Sequence, residues 1–193
     1  MLSGAGQLNS AEQPGLMKHC HKKLLEEANR ILERPGFAPP PASTCLEVVP
    51  FGDRESYCNR LRRVIHSAVS LSRTQDFDNE VLDGALVPEW FALLTDNAST
   101  TDGSVPTQAR EGAAAYFRAR EEDELDLQEW LFMFDPELRS WSWWDLVEGE
   151  GASVLLYVDT GGETVVPFAE LWWAVYACGA REAYGPFLFN SES

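Results

Sequence analysis

Apolar residues recur along this chain in two rhythms. Between residues 16 and 34 the spacing is three and four. Met17, Cys20, Leu24, Ala28 and Ile31 form one stripe, which Leu25 and Leu32 widen. That period predicts an amphipathic helix, and Pro35-Gly36 stops it. Pro39-Pro40-Pro41 reads as a stiff connector. Residues 45–51 read as a short strand, confined by Pro50 to an edge or an end. Asp53 is the expected N-cap of a second helix reaching about Ser72. Its apolar face is Tyr57, Leu61, Val64, Ile65, Ala68 and Leu71, with Arg54, Arg60, Arg62 and Arg63 expected on the other face.

Residues 75–84 form an acidic turn region, and residues 89–95, after Pro88, a short helix or a buried turn. Residues 96–106 have the composition of a surface loop. A third helix is expected over 107–124. It ends in Glu121, Glu122, Asp123 and Glu124, a charge run that opposes the helix dipole. The helix is expected to fray there, or to present those charges to a partner.

From 128 to 168 the rhythm changes to two. The run QEWLFMFDPELRSWSWWDLVEGEGASVLLYVDTGGETVVPF reads as an antiparallel meander of three apolar runs separated by turns. Trp130, Phe132 and Phe134 alternate with Leu131 and Met133, as in a strand covered on both faces. Residues 135–138 would be a hairpin connection. Trp141 and Trp143 would share one face of the next strand, opposite Ser140, Ser142 and Trp144. After the turn at 148–151, Val154, Leu156 and Val158 alternate with Leu155 and Tyr157. Gly161-Gly162 turns the chain, 164–166 returns, and Pro167 opens a helix. That helix has Leu171, Trp172, Val175 and Tyr176 on its apolar face, and Gly179 ends it. In the tail, Phe187-Leu188-Phe189 is expected to dock.

The pattern predicts an α+β fold: N-terminal helices packed on a C-terminal antiparallel sheet, closed by a C-terminal helix. One domain is expected over 1–193. Residues 1–15 are flexible in this reading, 16–125 mainly helical, and 126–180 the meander plus helix. At 193 residues, 45% apolar and 11% aromatic, the chain is able to build a core.

Charge changes the picture more than composition does. The formal net charge is −16. Residues 1–73 carry 10 Lys/Arg and 7 Asp/Glu, a net of +3, whereas 74–193 carry 5 and 24, a net of −19. Such a field repels nucleic acid and anionic membranes and attracts basic proteins. The N-terminus lacks a basic, apolar leader, and no apolar run reaches membrane-span length, so a cytoplasmic location is expected. Cys20, Cys45, Cys58 and Cys178 are widely spaced, which favours reduced, partly buried thiols over a disulfide framework.

The chemical motifs are sparse. His19-Cys20-His21 pairs two imidazoles that a helix aims about 200° apart, unsuited to one metal. Asp76, Asp78, Glu80 and Asp83 lack the mid-loop glycine of a calcium loop. The sequence has no G-x-S-x-G elbow, no phosphate loop and no dinucleotide fingerprint, so no cofactor is expected. Trp141, Trp143, Trp144, Asp145, Glu148 and Glu150 combine aromatics with carboxylates. Those types suit a sugar-hydrolysing cleft, but they suit a protein-binding surface better, with aromatic anchors rimmed by charge. With Glu121, Glu122, Asp123 and Glu124 they make the expected partner-binding set. Trp130, Trp172 and Trp173 are expected in the core.

The segment WSWWDLVEGEGASVLLYVDTGGETVVPFAELWWAVYACGA, in a small and strongly acidic chain, resembles bacterial immunity proteins that neutralise basic toxin domains such as nucleases. The resemblance is one of type and carries over no catalytic or binding residue. It implies a non-enzymatic inhibitor whose carboxylates meet basic toxin side chains. The alternatives are a small hydrolase with a Trp- and carboxylate-lined cleft, and a subunit of a larger assembly.

Overall fold

The carboxylate of Asp53 accepts the Ser56 amide at 2.7 Å and starts helix α2, Arg54–Leu71. The same hydrogen bond holds the Asp53 carboxyl below its usual range. All six residues of its expected apolar face are buried. The computed structural model describes residues 13–33, 38–41, 43–120, 125–163 and 166–189, with side chains from residue 21 onward. Before α2 come helix α1, Gln13–Glu33, and strand β1, Ser43–Pro50. Helix α3 is Glu89–Asp96 and α4 is Thr107–Ala119. After α5, Leu127–Phe132, come strands β2, Ser142–Glu148, and β3, Val154–Asp159. Helix α6, Ala169–Ala177, and strand β4, Ala180–Phe189, complete the order.

The architecture is α+β, with a four-stranded antiparallel sheet in the order β2-β3-β1-β4. Four sequence expectations need correction. The run around Trp130 is helix α5, not the first strand of a meander. Asp126 caps it, accepting the Glu129 amide at 2.8 Å, while the Glu129 carboxylate accepts the Asp126 amide at 3.2 Å. This reciprocal pair satisfies the first-turn donors and fixes a helix. Trp130 and Leu131 are the residues it buries, and Phe134 is buried just beyond its end. Consequently residues 135–138 join α5 to β2 rather than two strands.

Second, the sheet is not confined to the C-terminal part. β1 lies between β3 and β4, with Pro50 as its last residue. The tail residues Phe187, Leu188 and Phe189 do dock, as part of β4. Third, α4 ends at Ala119, and its expected continuation at 121–124 lies outside the described residues. Residues 164–165 of the expected return run lie outside them too. Fourth, Leu25 and Leu32 are exposed, whereas Arg62 is buried.

Helix α6 is enclosed rather than laid over one side: every residue from Glu170 to Ala177 is buried. It meets α4 where Gly112 has no side chain. A Cβ there would come within 1.9 Å of the Tyr176 carbonyl oxygen, so only glycine permits this approach. Gly179 then turns the chain at φ 105°. Trp173 donates to Thr95 Oγ1 at 3.0 Å, and Trp130 to the Glu170 carbonyl at 2.9 Å. These bonds satisfy the polar ends of two fully buried indoles.

The sheet has unequal faces. Leu46, Val48, Val154, Leu156 and Val158 point to one face and are fully buried. Trp143 and Leu146 join them, paired with Val158 and Leu156. A register shift between Trp143 and Asp145 sets Trp144 outside the alternation. On the opposite face Val147, Leu155, Tyr157 and Phe189 are only half-buried.

Candidate functional site

The expected cluster in β2 is divided by burial. Trp141, Trp143 and Asp145 lie in the interior. Trp144 is half-buried beneath Arg30, whose guanidinium carbon is 5.1 Å from the ring centre. Glu148 and Glu150 are exposed, and Glu148 lies 3.6 Å from Arg54. Glu121, Glu122, Asp123 and Glu124 lie outside the described residues. The structure therefore does not join the tryptophans and acids in one open cleft.

Instead, the buried members belong to a charged seam that sequence reasoning missed. Glu27, on α1, accepts from Arg139 at 2.5 Å and from the Trp143 amide at 2.7 Å. Arg30, one turn on, donates to the Trp143 carbonyl at 3.1 Å. On α2, Arg62 donates to Asp145 at 2.9 Å, to the Leu146 carbonyl at 2.7 Å and to the Ile31 carbonyl at 2.6 Å. Among the described residues β2 pairs only with β3. Side chains from α1 and α2 therefore occupy its outer edge in place of another strand. Glu170 lies nearby and accepts from the Trp141 indole at 2.6 Å. Burial pushes its carboxyl up, opposed by that hydrogen bond and by the charge of Arg139.

The signal for these residues was present in the sequence. Glu27 falls three after Leu24 and four before Ile31, inside the apolar stripe. Arg62 falls four after Cys58 and three before Ile65. A charge on a buried stripe demands a buried counter-charge.

The groups available for covalent or metal chemistry are quiet. Burial pushes the Cys45 thiol up to about 11 despite a hydrogen bond with Tyr157, and pushes Cys178 higher still. Both are thiols, not thiolates, at neutral pH. Ser70 Oγ is 3.4 Å from His66 Nε2. Burial, and then the charge of Arg73, push the His66 imidazole below its usual range, and no carboxylate among the described residues bonds its ring. Among the described residues no group of three or more His, Cys, Asp and Glu is placed to hold a metal ion. His21 is exposed, and the side chains of His19 and Cys20 lie outside the described set.

The half-exposed face of the sheet is where aromatics and carboxylates do meet. Cys45 pairs across to Tyr157 on one side and Phe187 on the other, and Glu47 pairs to Leu155 and Tyr184. Tyr157 packs edge-on against Phe189, with centroids 5.3 Å apart. Tyr184 is 48% exposed and Phe187 is 52% exposed. The four strands carry five carboxylates, Glu47, Asp145, Glu148, Asp159 and Glu182, and one basic side chain, Arg181. Glu182 is bound locally, to the Tyr184 hydroxyl and to Arg181.

No family model, no curated protein and no solved structure matches this chain. Among the described residues no helix is long and apolar enough to cross a membrane.

Proposed function

We propose that this chain is a non-enzymatic, acidic binding protein that holds a basic protein partner on the half-exposed face of its sheet. The observation that carries the reading is the co-location of Leu155, Tyr157, Tyr184 and Phe187 with Glu47 and Glu182 on that face, in strands with one basic residue. Aromatic and aliphatic side chains supply contact area there. The carboxylates select a partner of positive charge and speed its approach. The resemblance to immunity proteins makes a basic toxin domain, such as a nuclease, the partner class to test first. An inhibitor of that kind covers the basic groups the toxin uses on phosphate.

The reading is tested by capture from lysate of the source cell at low salt, with wild type and Tyr157→Ser side by side. A basic protein retained in stoichiometric amount by wild type, released by salt and lost by the variant supports it. Equal retention by both proteins removes the sheet face from the interaction.

A further inference from the structure

We infer that a cavity at the corner of the sheet is a socket for one apolar side chain of the basic partner, flanked in that partner by Lys or Arg. The inference rests on the binding-protein reading above and names the anchor it uses.

The cavity measures about 210 Å³ and opens between the end of β4 and the segment leading into α6. Thr44 and Phe168, both buried, are among its lining residues. Phe187 and Leu188 are more than half exposed and form its rim, with Val166 between. Glu163 is exposed and is the one charged residue of the lining. Asp159, whose carboxylate accepts the Gly161 amide at 2.9 Å, begins the same turn.

Size and charge together select the occupant. The pocket is open to solvent on one side, and its volume of about 210 Å³ is enough for a single phenyl or branched aliphatic side chain. Among the described residues its lining supplies one carboxylate and no cation, so an acidic neighbour is repelled and a basic one is paired. Phe187 belongs both to the cavity rim and to the half-exposed sheet face, through its pairing with Cys45. An extended basic segment crossing β4 thus reaches the face and the socket together. A buried apolar anchor beside a charged rim is the usual layout of a binding hot spot.

The test titrates isotope-labelled protein with Ac-Lys-Phe-Lys-NH2, Ac-Lys-Ser-Lys-NH2, Ac-Glu-Phe-Glu-NH2 and phenethylamine, following backbone amide shifts. The Lys-Phe-Lys peptide is expected to move Thr44, Glu163, Phe168 and Leu188. The serine peptide is expected to bind about tenfold more weakly, the loss that one buried aromatic side chain entails. Glu163→Gln is expected to cost the lysine peptide up to about fivefold and to leave thermal unfolding unchanged. Leu188→Ala, at an exposed position, provides a second variant that removes rim area. Phenethylamine, a phenyl group beside one cation, is expected to shift the same residues more weakly, whereas equal binding of all three peptides overturns the socket. Lys-Phe-Lys shifts confined to Leu155, Tyr157 and Tyr184 overturn the socket while leaving the acidic face standing. No response to either lysine peptide counts against both.

Discussion

The carboxylate of Glu27 is shared between Arg139 and the backbone of Trp143, at 2.5 and 2.7 Å, across more than a hundred residues of sequence. Both side chains of the pair are buried, at 3% and 4% exposure. Glu27 thus neutralises a buried cation and satisfies an edge-strand amide at once. Removing one partner leaves the other charge buried without compensation. Glu27→Ala is expected to destabilise the protein by about 3–5 kcal/mol. Glu27→Gln keeps the acceptor oxygen and removes the charge, and is expected to cost less. Urea midpoints of the two variants check this, and equal losses would mean that the neutral acceptor recovers nothing and the charge of Glu27 carries the whole effect.

Asp145 and Glu148 lie three residues apart on β2 and face opposite fates. Asp145 is held by the buried Arg62 at 2.9 Å, while Glu148 is exposed, 3.6 Å from Arg54. Asp145→Ala is expected to cost about 3–5 kcal/mol, because Arg62 stays buried. Glu148→Ala is expected to change stability by no more than about 0.5 kcal/mol. Thermal unfolding of both variants decides it. If Asp145→Ala unfolds like wild type, the seam has no part in holding α2 against β2.

Much of this arrangement was legible in the sequence, and the failures have physical causes. Helix α2 was readable because its cap, its period and its apolar face all agree. β3 was readable because strict alternation puts Val154, Leu156 and Val158 on one face. α5 was misread because Trp130, Phe132 and Phe134 also fit a period of two. The capping box at Asp126 and Glu129 was the better evidence, since it satisfies helix donors directly. The central place of β1 was not legible. Its partners are β3 and β4, more than a hundred residues away, and no local signal sets that pairing. The site was half legible: the aromatics and acids near 141–150 were found, but their burial depends on Glu27, Arg62 and Arg139. Arg62 is placed on the polar face by its charge, and Glu27 and Arg139 are not singled out in the sequence reading.

Glu170 links stability to pH. Burial raises its carboxyl above the usual value, so the folded state binds its proton more tightly than the unfolded chain does. Its contribution is fully present below the unfolded value and is lost as pH rises through the folded one. Glu170→Gln mimics the neutral acid and keeps an acceptor for the Trp141 indole. It is therefore expected to be more stable than wild type at neutral pH, with the advantage shrinking as pH falls toward the ordinary carboxylate range. Denaturant midpoints measured across that range give the sign. A variant advantage that grows on acidification contradicts the assignment.

Binding at the half-exposed face separates into approach and residence, and the two respond to different side chains. Phe187 is 52% exposed, so Phe187→Ser is expected to change stability by under about 1 kcal/mol. As a contact anchor, it is expected to cost about 2 kcal/mol or more of affinity, through faster dissociation. Glu163→Gln removes an exposed charge. It is expected to slow association with a basic partner and to flatten the fall of the rate with salt, with little effect on dissociation. Stopped-flow association and surface-based dissociation, with the captured partner at two salt concentrations, measure both. Reversed roles, with the carboxylate governing dissociation and the aromatic governing approach, would mean that Glu163 is desolvated in the complex. The contact would then centre on the turn at 159–163 rather than on β4.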